Sequence, residues 1–475
     1  MADYLHPDLC VIGGGPAGLA VAAAARAVDA SVVVIEKARM GGKDLIAGGV
    51  PSKSLIAAGK IAHAFRSAAP FGIAAEEPRV NFGRVREHIQ SVIAAIAPDD
   101  SAERFEGLGA TVIKGTARFI DRRTVEADGQ LIRARRFVIA TGSRPATPAI
   151  EGLNEVDFLT NETVFDLTTR PSHLLIIGAG PIGLEFAQAY RRLGSEVTVF
   201  EMAQPLHRED PELAEIVLRH LREERVSIHG GATVVRVHKK ANGIAVIADT
   251  GKGEQEFAGS HLLIATGRAP NVEDLGLEVA GVRLSGGRIR VGRGLKTTNR
   301  RVYAIGDVVG DMHFTHTAGY HAGLVVRNAL FRLPVRVDPA IIPHATFTDP
   351  EIAHVGPTEA EVRAHYGDNF KVLRWDYGSI DRARTERRTD GILKVLTDGK
   401  GRILGAGAVA SNAGELISFY SLAIANRLNV GAFTRAVMPY PTLNEVATRI
   451  AYEFYRDRAP SPWLKRLMAL NRLLG

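Results

Sequence analysis

One cysteine, Cys10, is all that this 475-residue sequence contains. A lone thiol closes no intramolecular disulfide and cannot supply the several sulfur ligands of a zinc or iron–sulfur centre. Within its apolar run it reads as a buried, inert side chain. Histidine does not suggest a metal either, because His313, His316 and His321 read as one loop and match no metal-binding spacing. The opening M-A-D-Y-L-H-P-D lacks a basic stretch ahead of its apolar run, and Gly13, Gly14, Gly15 and Gly18 interrupt that run, so no signal peptide is expected. Elsewhere no uncharged apolar stretch of roughly 18 residues marks a membrane span. The expectation is a cytoplasmic protein, with peripheral attachment at the inner face of the membrane left open by its C-terminal segment.

Low-complexity tracts are also lacking, and 46% hydrophobic with 23% charged residues describes an ordinary globular chain. The net charge of +7 is small for the length. Its basic residues are scattered without interleaved stacking aromatics, which argues against a nucleic-acid partner. At about 150 residues per domain, roughly three domains are expected.

Glycine is the residue in surplus, at 49. A short apolar strand, Leu9 to Ile12, runs into G-G-G-P-A-G, with Gly13, Gly15 and Gly18 at G-x-G-x-x-G spacing and Pro16 and Ala17 inside the loop. An Ala-rich helix follows, then a β-branched strand ending at Glu36. The first glycine permits the tight turn, the second lets a pyrophosphate approach the backbone, and the third packs helix on strand. The helix N-terminus adds unpaired N–H groups and a positive dipole end, and Glu36 can accept from an adenosine ribose. The unit recurs as Leu174 to Ile177, then G-A-G-P-I-G (Gly178, Gly180, Pro181, Ile182, Gly183), a helix, and a strand ending at Glu201. Gly13 to Glu36 and Gly178 to Glu201 are both separations of 23, an internal repeat that implies two bound dinucleotides. A carboxylate at Glu201 accepts from a free 2′-hydroxyl and repels a 2′-phosphate, which favours NADH over NADPH, although Arg208 could soften this. Three more segments, F-V-I-A-T-G-S-R-P from Phe137, L-L-I-A-T-G-R-A-P-N from Leu262 and V-Y-A-I-G-D from Val302, read as buried strands. They end in glycine turns or an acid, where an open parallel sheet faces its ligand.

This ordered set resembles the pyridine nucleotide–disulfide oxidoreductase family, the group of dihydrolipoamide dehydrogenase, glutathione reductase and mercuric reductase, from about Asp8 to about Tyr455. F-T-D-P-E from Phe347 and N-A-G-E-L-I from Asn412 are similar to the family's dimerisation domain. The resemblance implies an α/β fold of two dinucleotide-binding Rossmann-like domains plus a C-terminal α+β dimerisation domain. FAD binding is expected over 1–150 and 271–335, NAD(P) binding over 151–270, dimerisation over 336–455, and a basic amphipathic helix over 456–475. It further implies a homodimer, with FAD in the first unit contacted by Lys37, Gly42, Thr141, Gly142 and Asp307, and the nicotinamide cofactor in the second beside Gly267. Lys53 and Glu185 correspond to an ion pair that the family places beside the isoalloxazine.

Two departures decide what chemistry is expected. The family pattern G-G-x-C-x-x-x-x-C-x-P-S-K aligns with G-G-K-D-L-I-A-G-G-V-P-S-K, placing Asp44 and Gly49 at the cysteine positions. The family's H-P-T-x-x-E reads Y-P-T-L-N-E here, with Tyr440 for the histidine and Glu445 retained. Disulfide exchange needs a thiolate, and a phenol with a pKa near ~10 is a poor substitute for imidazole. The two losses agree, and both argue against lipoamide, glutathione or mercuric reduction. The expected function is therefore an FAD-dependent NADH oxidoreductase that passes electrons from flavin directly to a quinone or other small acceptor, similar to the NAD(P)H:quinone reductases of the family. A redox sensor, or an electron donor to a dedicated protein partner, is the alternative. Asp44 reads either as a proton donor or polar contact for the acceptor, or as a solvated helix-start residue. Tyr440 reads either as a group reaching the acceptor in the partner subunit or as a packing residue.

Two surface segments complete the sequence. D-R-A-R-T-E-R-R from Asp381 reads as a solvated hairpin of mixed charge. In the tail, Arg456, Arg458, Lys465, Arg466 and Arg472 against Asp457 give a net +4. Helical spacing sets Trp463, Leu464, Leu467, Met468 and Leu474 on one arc, with Lys465 and Arg472 opposite and Arg466 at the flank. Such a helix can dock on the body or the dimer partner, or lie in a membrane interface.

Overall fold

The computed structural model describes residues 4–310, 313–456 and 462–474. The chain gathers into two compact units, one of residues up to 207 with 218–338, the other of 208–217 with the residues from 339 onward. The helices that bear on the site and the tail are α1 (Pro16–Arg26), α2 (Gly42–Ala47), α3 (Gly49–Arg66), α4 (Pro181–Arg192), α5 (Thr315–Phe331), α6 (Glu445–Arg456) and α7 (Pro462–Leu473).

The first unit is built on two parallel sheets. One has the order Val302–Ala304, Arg136–Ile139, Leu9–Ile12, Val32–Glu36, Thr111–Lys114. The other has the order Ser227–Gly230, Glu196–Glu201, His173–Ile177, His261–Ile264. Each central strand is apolar along its length because both faces of its sheet are covered, one by helices and the other by a small antiparallel sheet; Leu9, Cys10 and Val11 are fully buried, as are Leu174, Leu175 and Ile176. Burial also pushes the Cys10 thiol pKa up, which fits an inert side chain. In each sheet the central strand has its neighbours reached by connections in opposite directions. That makes the carboxyl end of Leu9–Ile12, and that of His173–Ile177, a topological switch point, where such sheets open a ligand crevice.

The second unit is α+β. Its antiparallel sheet runs His344–Thr346, Glu351–Val355, Ile403–Ala410, Ile392–Asp398, Phe370–Asp376. Tyr377, Tyr420, Phe433 and Phe454 fill its core. Lys394 sits mid-strand with only 6% of its side chain exposed, directly opposite Arg374. Like charges so paired repel, and carboxylates offset this: Lys394 Nζ lies 2.7 Å from Asp210, 3.0 Å from Glu212 and 2.7 Å from Glu359, and the last two also bind Arg374. Burial alone would lower the lysine pKa, but the three carboxylate hydrogen bonds outweigh it and hold the ammonium charged. Lys394→Met strands those carboxylates, so urea unfolding should show a loss of about 3–5 kcal/mol, the cost typical of half a buried pair. A loss near zero would show that solvent reaches the cluster.

Three expectations change. His316 and His321 lie on α5 and only His313 precedes it, so the three histidines share no loop. No group of three or more His, Cys, Asp or Glu that could hold a metal occurs among the described residues. Asp381–Thr385 is a short helix, not a hairpin, because Ala383 is buried under it and Arg382 pairs with Glu386 one turn on. The tail does form a helix, α7, and none of its residues is buried. Asp457 and Arg458 lie outside the described residues. Among the described residues no helix is long and apolar enough to cross a membrane.

Candidate active site

The two fingerprint loops have nearly the same geometry. Gly13 has φ +110° and Gly178 +109°, and at either position a Cβ would fall 2.4 Å from a carbonyl oxygen, that of Ala140 or of Ala265. At Gly18 and Gly183 an added Cβ would meet the loop's own carbonyl, Gly13 O or Gly178 O, at 1.9 Å. By contrast, a Cβ at Gly180 meets nothing within 4 Å, and one at Gly15 meets only Gly42 Cα at 3.8 Å. The middle glycines therefore border open space while the outer two border backbone, as a phosphate cradle requires. Pro16 and Pro181 occupy first turns, and no side chain caps Gly15 or Gly180, which leaves the helix N–H groups for an anion.

The terminal acids match as closely. Glu36 accepts from Gly14 N (2.6 Å) and Ala38 N (2.8 Å), and Glu201 from Ala179 N (2.8 Å) and Ala203 N (3.0 Å). Each carboxylate is thus aimed at its loop with acceptor capacity to spare for a ribose. The residues fit two dinucleotides. Lys37 is exposed.

The A-T-G segments tie the two sheets together. Ser143–Pro145 pairs antiparallel with Arg268–Pro270, while Thr141 Oγ1 donates to Asn271 O (2.7 Å) and Asn271 Nδ2 returns to Thr141 O (2.8 Å). Gly142 and Gly267 turn these segments at φ +68° and +126°. Asp307 accepts from Ser143 Oγ (2.5 Å), with Arg268 and His313 each 3.6 Å away. Burial works to raise its pKa, but His313, Ser143 and Arg268 together hold the carboxyl below its usual range. Ser143, Arg268 and His313 were not foreseen as site residues, though the first two lie inside motifs that sequence alone displays.

Lys53 on α3 and Glu185 on α4 meet at 2.8 Å, with 38% and 7% of their side chains exposed. The helices can approach because a Cβ at Gly59 would already stand 3.3 Å from Ala189 O, and Arg66 ties their far ends by donating to Arg192 O (2.6 Å). The start of α2 rests on the first loop, with Gly41 N donating to Gly14 O (2.9 Å) and Gly42 at φ +63°. Asp44, in the first turn of α2, has both oxygens engaged: Oδ1 accepts from Gly49 N (3.0 Å) and Oδ2 from Thr315 Oγ1 (2.8 Å). The two positions that would carry a disulfide are thus joined by a hydrogen bond. A cavity of about 360 Å³ opens beside Asp44, with apolar walls that include Leu19, Ala20 and Ile96 and polar groups from Asp100, Arg104 and Thr315. Burial pushes the Asp100 pKa up, the Asp99 and Asp44 charges add to it, and Arg104 opposes.

Tyr440 and Glu445 are not hydrogen-bonded to each other. The Tyr440 hydroxyl donates to Asp381 Oδ2 (2.9 Å), a bond that raises the phenol pKa, and the Asp381 charge adds to the effect. Glu445 Oε1 pairs instead with Arg449 (2.6 Å), while its Oε2 is buried without a partner.

Residues 7–322 match the pyridine nucleotide-disulphide oxidoreductase family and residues 342–451 match that family's dimerisation domain. The chain belongs to this family. Its members are flavoproteins that use FAD and a pyridine nucleotide, and the second match supports a homodimer. The chain is 36% identical over 459 residues to mercuric reductase from Bacillus cereus, covering 96% of this chain and 72% of that one. It is also 36% identical over 460 residues to mercuric reductase from Streptomyces lividans, covering 95% and 97%. Among solved structures, LpdA from Mycobacterium tuberculosis superposes with a TM-score of 0.86 at 26% identity, covering 94% and 99%.

Proposed function

We propose that this flavoprotein passes electrons from NADH to a quinone or similar small acceptor without disulfide chemistry. NADH, a proton and the quinone become NAD⁺ and the hydroquinone, so hydride, electrons and protons balance. What carries the reading is the Asp44–Gly49 hydrogen bond standing where a sulfur pair would be, beside a cavity of about 360 Å³. Pockets of that order hold small planar ligands. Mercuric reduction, the activity named for the two relatives, needs thiolates that these positions lack.

When bound, FAD would supply a two-electron carrier between nucleotide and acceptor. Gly13, Gly15, Gly18 and Glu36 would hold its adenine-nucleotide half and Asp307 its ribityl chain, while Gly178, Gly180, Gly183 and Glu201 would hold the NADH. Lys53 would place a positive charge where electrons arrive, with Glu185 fixing it. Asp100 lines the cavity as a polar group whose pKa burial pushes up, whereas both oxygens of Asp44 are already engaged. Tyr440, donating to Asp381, would keep its proton and act as no base.

Anaerobic stopped-flow mixing tests the reading. NADH should bleach the flavin faster than NADPH, without a thiolate-to-flavin charge-transfer band, and menadione should restore it faster than oxygen does. Ala20→Trp, which fills the cavity, should leave the NADH step intact and slow reoxidation by tenfold or more. Oxygen outpacing every quinone and dye would remove the quinone reading and favour a sensor or a donor to a protein partner.

A further inference from the structure

Helix α7 belongs to neither the nucleotide sites nor the core of the second unit, yet its pattern is strongly ordered. At 100° per residue, Leu470, Trp463 and Leu467 project within about 60° of one another, Leu464 and Met468 extend that face, and Leu474 follows directly after the helix. Lys465 and Arg472 stand at one border of the face and Arg466 at the other, with no acidic residue from Pro462 to Leu474. None of the helix is buried; Trp463 is 68% exposed and Leu474 76%. An apolar face of this size left in water needs a partner.

We propose that α7 is a membrane-surface anchor that lies flat in the interface of an anionic bilayer. Its 12 residues span about 18 Å, too short to cross a hydrocarbon core but suited to lying along one face. Tryptophan among leucines matches the boundary between acyl chains and headgroups. The charge decides between a lipid surface and a second copy of the chain: protein interfaces deplete charge at their cores, whereas here cations flank the apolar face on both sides and, among the described residues, no carboxylate pairs with them. Phosphate headgroups would. The inference does not depend on the acceptor: protein that turns over no quinone but still binds vesicles leaves it intact.

Flotation of full-length, FAD-loaded protein with vesicles provides the test, comparing phosphatidylcholine alone with phosphatidylcholine mixed with phosphatidylglycerol. Binding is expected only to the mixed vesicles, with weakening in high salt and a blue shift of Trp463 emission. Neutralising Lys465, Arg466 and Arg472 together to Gln should cut binding by about 100-fold, at roughly fivefold per surface cation. Trp463→Ser with Leu467→Ser should abolish it. NADH-dependent flavin bleaching in these variants reports that they remain folded. Equal binding by wild type and variants, or none by wild type, overturns the proposal. A switch from dimer to monomer in the variants, without change in vesicle binding, assigns the helix to a second copy and overturns it as well.

Discussion

Gly183→Ala will give a yellow protein that NADH cannot reduce, whereas Gly18→Ala will give a colourless one. A methyl at either position falls 1.9 Å from the carbonyl oxygen of its own loop's first glycine, far inside contact distance. The loop must then move away from the phosphate it would cradle. Neither loop can absorb the shift, because its first glycine is held at φ near +110° with a neighbouring carbonyl 2.4 Å from where a Cβ would stand. The loops being alike, what differs between the variants is only which ligand is lost. Flavin content by absorbance, with the NADH reduction rate, reads this directly: Gly183→Ala should keep about one flavin per chain and lose at least 100-fold in kcat/KM for NADH, a change of roughly 2.7 kcal/mol. The opposite pattern, flavin lost from Gly183→Ala and kept by Gly18→Ala, would reverse the assignment of the two nucleotide sites.

Features legible in sequence share one property, that a few consecutive residues fix them. Gly13, Gly18 and Glu36 could be placed because tight-turn sterics and strand polarity act over some 25 residues, and Gly178 to Glu201 repeats the same local problem. Lys53 and Glu185 are 132 residues apart, and only the family resemblance joined them; the 2.8 Å contact is a product of helix packing at Gly59. No local signal could have disclosed that Thr315, 271 residues away, donates to Asp44. Likewise Asp100 and Arg104 border the cavity through the packing of helices, not through a motif. The histidines misread as a loop show the reverse difficulty: T-H-T-A-G-Y-H contains two threonines and a glycine, poor helix formers, yet it begins the 17-residue α5 because Thr317, Ala318 and His321 are buried there. Tertiary burial overrode local propensity.

The second large effect is expected at Lys53. Lys53→Met should slow flavin reduction by NADH by about 10²–10³-fold, the scale on which a preorganised charge at a reacting centre acts. Two consequences are coupled in this change and have to be separated. Glu185 is 7% exposed, so removing its cation leaves a nearly buried carboxylate without its 2.8 Å partner. For a fully buried pair the loss would be about 3–5 kcal/mol, but Lys53 is 38% exposed and solvent will screen part of it, so the stability loss should fall below that range. Glu185→Gln distinguishes the roles, since it keeps the shape and removes the carboxylate charge while Lys53, on the proposed reading, still faces the arriving electrons. It should slow reduction by only about tenfold, through looser positioning of the ammonium. If Glu185 acts through Lys53, then in the Lys53→Met background Glu185→Gln should have no further effect on the rate. Additive losses of rate in the double variant would mean that the two side chains serve separate steps, and a wild-type rate in Lys53→Met would make the pair a structural tie between α3 and α4.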